Sequence, residues 1–248
     1  MSTKKNVSGD VAALAAEIRA YCAANANPTL ANKWARYFKE GYDAWGVLDK
    51  DHPLWNAQQA AWLETHSHLG LKGFLLLGET LFASGKYEEG GLAIRFLKSY
   101  STQIDARALP GIAKWFPGGI RNWAHVDVLC GEVLSPALAA GRLGLQDFAV
   151  WRTSPERFQR RAVPVAMLSL LKTSAPTAEL LSFVRPLMLD PERVVQQGLG
   201  WFLRETWKRE PQPVEELLME FRSQAPRVIY QYACEKMTPA RRTAFRRG

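Results

Sequence analysis

Trp123 and Asp127 stand four residues apart in Asn122-Trp123-Ala124-His125-Val126-Asp127, between a Pro/Gly break and an apolar stretch. In a helix that spacing puts the indole and the carboxylate one above the other on one face. Together they offer an aromatic face that attracts a cation, and a fixed acid that stabilises developing positive charge or orients a water. The core stripe lies elsewhere. Val126, Leu129, Cys130 and Val133 follow the spacing of a buried face roughly a quarter-turn away, so the pair falls at the rim of the core. An Asp in the first helical turn, favoured by the helix dipole and set beside a partly packed Trp, accounts for the same residues without any chemistry.

Other reactive groups are less promising. His125 points to the other side of the same helix and reads as structural. His66-Ser67-His68 lacks a third ligand at suitable spacing, so no metal is expected. Cys22, Cys130 and Cys234 are odd in number and far apart, which indicates neither a disulfide framework nor a zinc site and fits a reducing cytoplasm. No lysine lies in the Trp123/Asp127 motif, so Schiff-base chemistry is not indicated, and no cofactor is expected.

The 248 residues carry 32 Lys+Arg against 24 Asp+Glu, a formal charge of +8 that favours an acidic partner, most often nucleic acid. Nine tryptophans in a basic chain include candidates for stacking or wedge surfaces, although most belong in the core. No apolar run has the length of a membrane span or follows the N-terminal lysines as a signal peptide would.

The elements that must position the motif all read as helices. Val11, Leu14, Ile18 and Tyr21 predict a helix over 10–25 with Asp10 as its N-cap, and Asn27-Pro28 ends it. A second helix is expected over 30–41, another from Asp51-His52-Pro53, a pair over 58–84 interrupted near Gly70, and further ones over 87–100 and 105–115. Phe116-Pro117-Gly118-Gly119 closes the last of these. Ser154-Pro155-Glu156-Arg157 and, thirty-six residues later, Asp190-Pro191-Glu192-Arg193 read as matching helix starts with Ser154 and Asp190 as N-caps. Each opens a helix of sixteen to eighteen residues, with a partner helix over 177–187 between them. Paired short helices, a recurring start signal and no convincing strand predict an all-α fold, a superhelix of helical hairpins of the HEAT or armadillo kind with a concave basic groove. We expect one domain over 1–248, with a flexible N-terminus at 1–9 and a basic tail at 239–248.

Four segments resemble, in order, the AlkD-like family of bacterial DNA alkylation-repair glycosylases, which are built from HEAT-like repeats. Asn27-Pro28 with Ala35-Arg36-Tyr37 resembles the N-terminal helix whose Tyr lies near DNA. Trp123-x-x-x-Asp127 resembles the catalytic Trp/Asp pair. Arg160-Arg161-Ala162 resembles the segment whose Arg binds backbone phosphate, with Arg161 the match, and Gly200-Trp201-Phe202-Leu203-Arg204-Glu205 resembles the helix whose Trp forms the second wall of the site. The chain departs from the pattern at Asn122 and Ala124, where a second aromatic is frequent, at Phe158 and Gln159, and over 54–84.

The resemblance implies a monofunctional glycosylase that removes cationic N3- or N7-alkylated purines from double-stranded DNA and leaves an abasic site. Asp127, Trp123 and Trp201 would be catalytic, and Arg161 and Tyr37 would contact DNA; Arg204, three residues after Trp201 and on a nearby face, is by its position a secondary DNA-phosphate candidate, with Lys98 and Arg157 as weaker ones. Taken alone, Trp201 serves packing as readily as a site, and Arg161 serves a surface ion pair with Glu156 or Asp190. A HEAT-like protein that binds DNA or acts as a scaffold without catalysis is the competing reading. A cytoplasmic monomer is expected.

Overall fold

The computed structural model describes residues 7–47 and 52–245. Among them every regular element is helical, with no strand. Contacts group the chain into two compact units, one ending at His125 and one beginning at Val126.

The first unit contains α1 (Val7–Ala24), α2 (Pro28–Ala35), α3 (Pro53–Thr65), α4 (Gly70–Ala83), α5 (Tyr87–Lys98), α6 (Leu109–Ala113) and α7 (Trp115–Gly118), and it ends within α8 (Trp123–Leu129). In α1 the buried residues Val11, Leu14, Ala15, Ile18 and Cys22 repeat at helical spacing and face α4, which also packs on α5 and α7. Burying Leu14 and Ile18 contributes roughly 1.5–3 kcal/mol each. The helix already runs from Val7, so Asp10 lies in its first turn rather than at the cap, and there it meets His68 Nε2 at 3.1 Å. Residues 7–9, expected to be flexible, are helical, whereas 1–6 lie outside the described residues.

Helix α2 stops at Ala35, six residues short of the expected end, and Tyr37 falls in the turn that follows. The cause lies far away in sequence. The Glu88 carboxylate accepts hydrogen bonds from the backbone N–H groups of Trp45, Gly46 and Val47 at 2.9, 2.7 and 3.3 Å, drawing the chain back beside α2. Gly46 makes the return feasible, because a Cβ there would lie 2.1 Å from Asn27 O and φ is +71°. The break near Gly70 occurs as expected, at φ +56° between a short 3₁₀ turn and α4. The start expected at Asp51 lies outside the described residues, and α3 is capped by His52.

The second unit continues α8 through a π-helical turn, Cys130–Leu134, into α9 (Ser135–Ala139), then α10 (Ala149–Arg152), α11 (Arg157–Ala166), α12 (Thr177–Val184), α13 (Arg193–Arg209), α14 (Pro211–Glu220), α15 (Arg227–Ala233) and α16 (Pro239–Thr243). Helix α13 is the hub, packed on α11, α14 and α15. The two matching helix starts are real but displaced. Ser154 Oγ accepts from Glu156 N and Asp190 Oδ1 from Glu192 N, so each side chain fixes a turn two residues upstream while Glu156 and Glu192 take the cap positions. Helix α11 is ten residues long and extends as a 3₁₀ segment to Lys172, whereas α13 has the anticipated length at 17 residues. The tail is packed as far as Phe245, which is buried and held through its carbonyl by Arg227; residues 246–248 lie outside the described residues.

Candidate active site

Asn122 immediately precedes α8, and its Oδ1 accepts from His125 N at 2.8 Å and so satisfies a backbone donor of the first turn. The His125 ring is buried against Tyr87, stacked at 4.6 Å, and edge-on to Phe82 at 5.4 Å. Its Nε2 donates to Tyr87 O at 2.9 Å, which leaves Nδ1 to accept from Asn122 Nδ2. Burial pushes this imidazole down to about 4, so it is neutral and structural, as its position opposite Asp127 predicts. The sign of the consequence is fixed. Between pH 6.5 and 4 the unfolded chain binds the proton and the folded one does not, so stability falls as pH drops through that window, by about 3 kcal/mol. Urea unfolding at pH 7, 5.5 and 4.5 should show this loss, and His125→Gln should flatten it; an unchanged slope in the variant would contradict the assignment.

In the second unit Val126, Leu129, Cys130 and Val133 are fully buried, the stripe expected of α8. Asp127, beside that stripe, meets Arg161 of α11 in a two-point pair: Nε donates to Oδ1 at 3.0 Å and Nη2 to Oδ2 at 2.8 Å. Arg161 Nη1 donates to Val194 O of α13 at 2.7 Å, and the residue is only 5% exposed. The carboxylate is thus fixed in plane and direction by an arginine that is itself tied to a third helix. Burial pushes the Asp127 carboxyl up from the usual range, while the hydrogen bonds and charge of Arg161 pull it part of the way back. Burial and the Asp127 charge also raise the Cys130 thiol, which is inert as a nucleophile.

Neither acid considered for Arg161 is its partner. Arg160, one residue earlier, takes Asp190 through Nε at 2.6 Å and Nη2 at 3.2 Å and also caps Ser154 O. Residues one apart on a helix differ by about 100° in direction, and that rotation sends Arg160 toward the start of α13 and Arg161 toward α8. Gly198 allows the approach, since a Cβ there would lie 3.1 Å from Arg161 Cγ. Val194, Gly198 and Trp201 share one face of α13, so the face that carries the half-buried Trp201 is the one turned toward Arg161. Arg204 is engaged by Glu205 at 2.8 Å and by Glu235, and Arg157 lies 3.5 Å from Glu192.

In the first unit Trp123 opens α8 at 37% exposure, with one ring face stacked on Phe38 at 5.7 Å and 19°. Phe38 in turn stacks on Tyr42 at 4.7 Å and touches Tyr87. The Glu88 clamp on 45–47 and the Lys86–Asp43 ion pair hold this aromatic segment in place. Sequence reasoning missed Phe38; its only signal was adjacency to Tyr37. Tyr37 itself is 51% exposed, with Arg36 Nη2 donating to its hydroxyl at 3.0 Å.

Among the described residues no helix is long and apolar enough to cross a membrane. A family model described as "DNA alkylation repair enzyme" matches residues 18–237. Among solved structures, the chain is similar to a "Predicted DNA alkylation repair enzyme from Enterococcus faecalis", with a TM-score of 0.63 and 18% identity over 87% of this chain and 98% of that one. At that identity the likeness is one of fold. Among curated proteins nothing matches.

Proposed function

The chain belongs to the DNA alkylation repair enzyme family, and from that premise we propose that it is a monofunctional DNA glycosylase acting on N3- or N7-alkylated purines in duplex DNA. The observation that carries this reading is the Asp127 carboxylate, held at two points by buried Arg161 at the edge of the core. An alkylated purine is already cationic, so it leaves with the electron pair of the N-glycosidic bond and needs no general acid. The demand falls on the sugar, which gains oxocarbenium character as that bond breaks. Asp127 stabilises this charge and orients the water that adds at C1′, whose proton passes to solvent. One carboxylate suffices, unlike the acid pair of ordinary glycoside hydrolysis.

Trp123 and Trp201 offer ring faces to the cationic nucleotide, each contact worth roughly 0.5–2 kcal/mol, and so select charged lesions over neutral bases. Arg161 is assigned to holding Asp127: three of its N–H donors are engaged inside the protein, which speaks against the phosphate grip that the resemblance implies. Arg204 is left out of the DNA contact, because two carboxylates hold it.

Two measurements test this reading. Incubation with duplex DNA containing 7-methylguanine should release the free base and leave an alkali-labile abasic site without strand cleavage; no release from either 7-methylguanine or 3-methyladenine DNA would sink the proposal. The active form of Asp127 is the carboxylate, so the single-turnover rate should fall as pH drops through its raised pKa. The acid limb of the profile then lies above the ordinary aspartate value of about 4. A rate that holds constant down to that value would exclude Asp127 as the titrating group.

A further inference from the structure

The turn after α2 gathers features that the Asp127 site does not use. Trp34 and Tyr37 are 41% and 51% exposed, and Trp34 is the most exposed tryptophan of the chain. Their rings lie 5.8 Å apart and are tilted by 38°, in contact with each other but not stacked face to face. Each carries a cation on one face: Lys33 Nζ lies 5.4 Å from the Trp34 ring and Arg36 Cζ 4.9 Å from the Tyr37 ring. Lys39 is exposed beside them. Arg19, Arg160, Arg161 and Arg204 each bind a carboxylate, whereas Lys33, Arg36 and Lys39 have no carboxylate partner among the described residues. Glu40 is the one acid in the stretch 33–40.

We propose that Lys33, Trp34, Arg36, Tyr37 and Lys39 form a binding surface for single-stranded DNA, in which the two rings stack on unpaired bases and the cations meet the adjacent phosphates. The surface is apolar only where a flat partner can lie and cationic around it, which is the complement of a base on a phosphate chain. A paired duplex hides its base faces, so this surface recognises something other than an intact helix. The cations now resting on the rings are on long flexible stems and can turn to phosphate when a base takes the ring's free face. The site lies wholly in the first unit and does not depend on Asp127.

The test compares two fluorescent strands of equal charge on the full-length protein: a twelve-residue oligothymidylate, and a strand of the same length whose nucleotides lack bases. Wild type should bind the first more tightly by about tenfold, as stacking on an aromatic face predicts. The double variant Trp34→Ala, Tyr37→Ala should erase that preference and keep the affinity for the base-free strand, with an unchanged thermal midpoint because both side chains are exposed. Lys33→Ala with Arg36→Ala should weaken binding to both strands and flatten the salt dependence. Equal binding of the two strands by wild type, or a preference that survives loss of both rings, would overturn the proposal. Asp127→Asn should retain the preference, so a failed base-release assay together with an intact strand preference would count against the glycosylase reading alone.

Discussion

Replacing Arg161 by alanine is expected to lower the base-release rate at saturating DNA while changing DNA affinity little. Three of its donors end on Asp127 and on Val194 O, so removing it frees the carboxylate to rotate and deprives it of its counter-charge. A misplaced catalytic group costs about 100-fold in rate. The acid limb of the rate profile should also move to higher pH, because without Arg161 nothing opposes the upward push of burial on the Asp127 carboxyl. Removing one partner of a buried pair should also cost about 3–5 kcal/mol of stability, read as a lower urea midpoint. Arg161→Lys keeps the charge and loses the fork, so it should restore most of the stability and only part of the rate. A phosphate grip predicts the opposite split: weaker binding, a salt slope smaller by about one, and a normal rate once DNA saturates.

Much of the frame was legible in the sequence because it rests on local rules. The stripe of α8 and its rim positions for Trp123 and Asp127 follow from 3.6-residue periodicity, and that periodicity holds from Val126 to Val133. The structural role of His125 follows from the same wheel. On α13 the missing side chains of Gly198 and Gly200 permit close approach, toward Arg161 and toward Ile229 and Tyr232, respectively. What the sequence did not disclose depends on long-range contacts. Arg161 and Asp127 are thirty-four residues apart, and only the packing of α11 on the end of α8 decides that Arg161, not Arg160, reaches Asp127. The early end of α2, and with it the placing of Tyr37 and Phe38, is set by Glu88 gripping a segment about forty residues upstream. Helix propensity alone gives no sign of that clamp, so continuing the helix to Gly41 was the natural local reading.

Replacing Asp127 by asparagine is expected to abolish base release while leaving the lesion-containing duplex bound. The change keeps the shape and one acceptor for Arg161 but removes the charge that meets the oxocarbenium ion. Losing one such fixed electrostatic group costs on the order of 10²–10³ in rate. Affinity should hold, because no DNA contact is assigned to the carboxylate in the ground state. A HEAT-like DNA-binding protein without catalysis predicts instead that wild type and variant bind alike and neither releases base. The most direct test of the account is therefore single-turnover release of 7-methylguanine from duplex DNA by wild type and Asp127→Asn side by side, with binding measured on the same substrate. The account predicts release by wild type, a loss of at least about 100-fold in the variant, and similar affinities; equal release by the two proteins, or none by wild type, would contradict it.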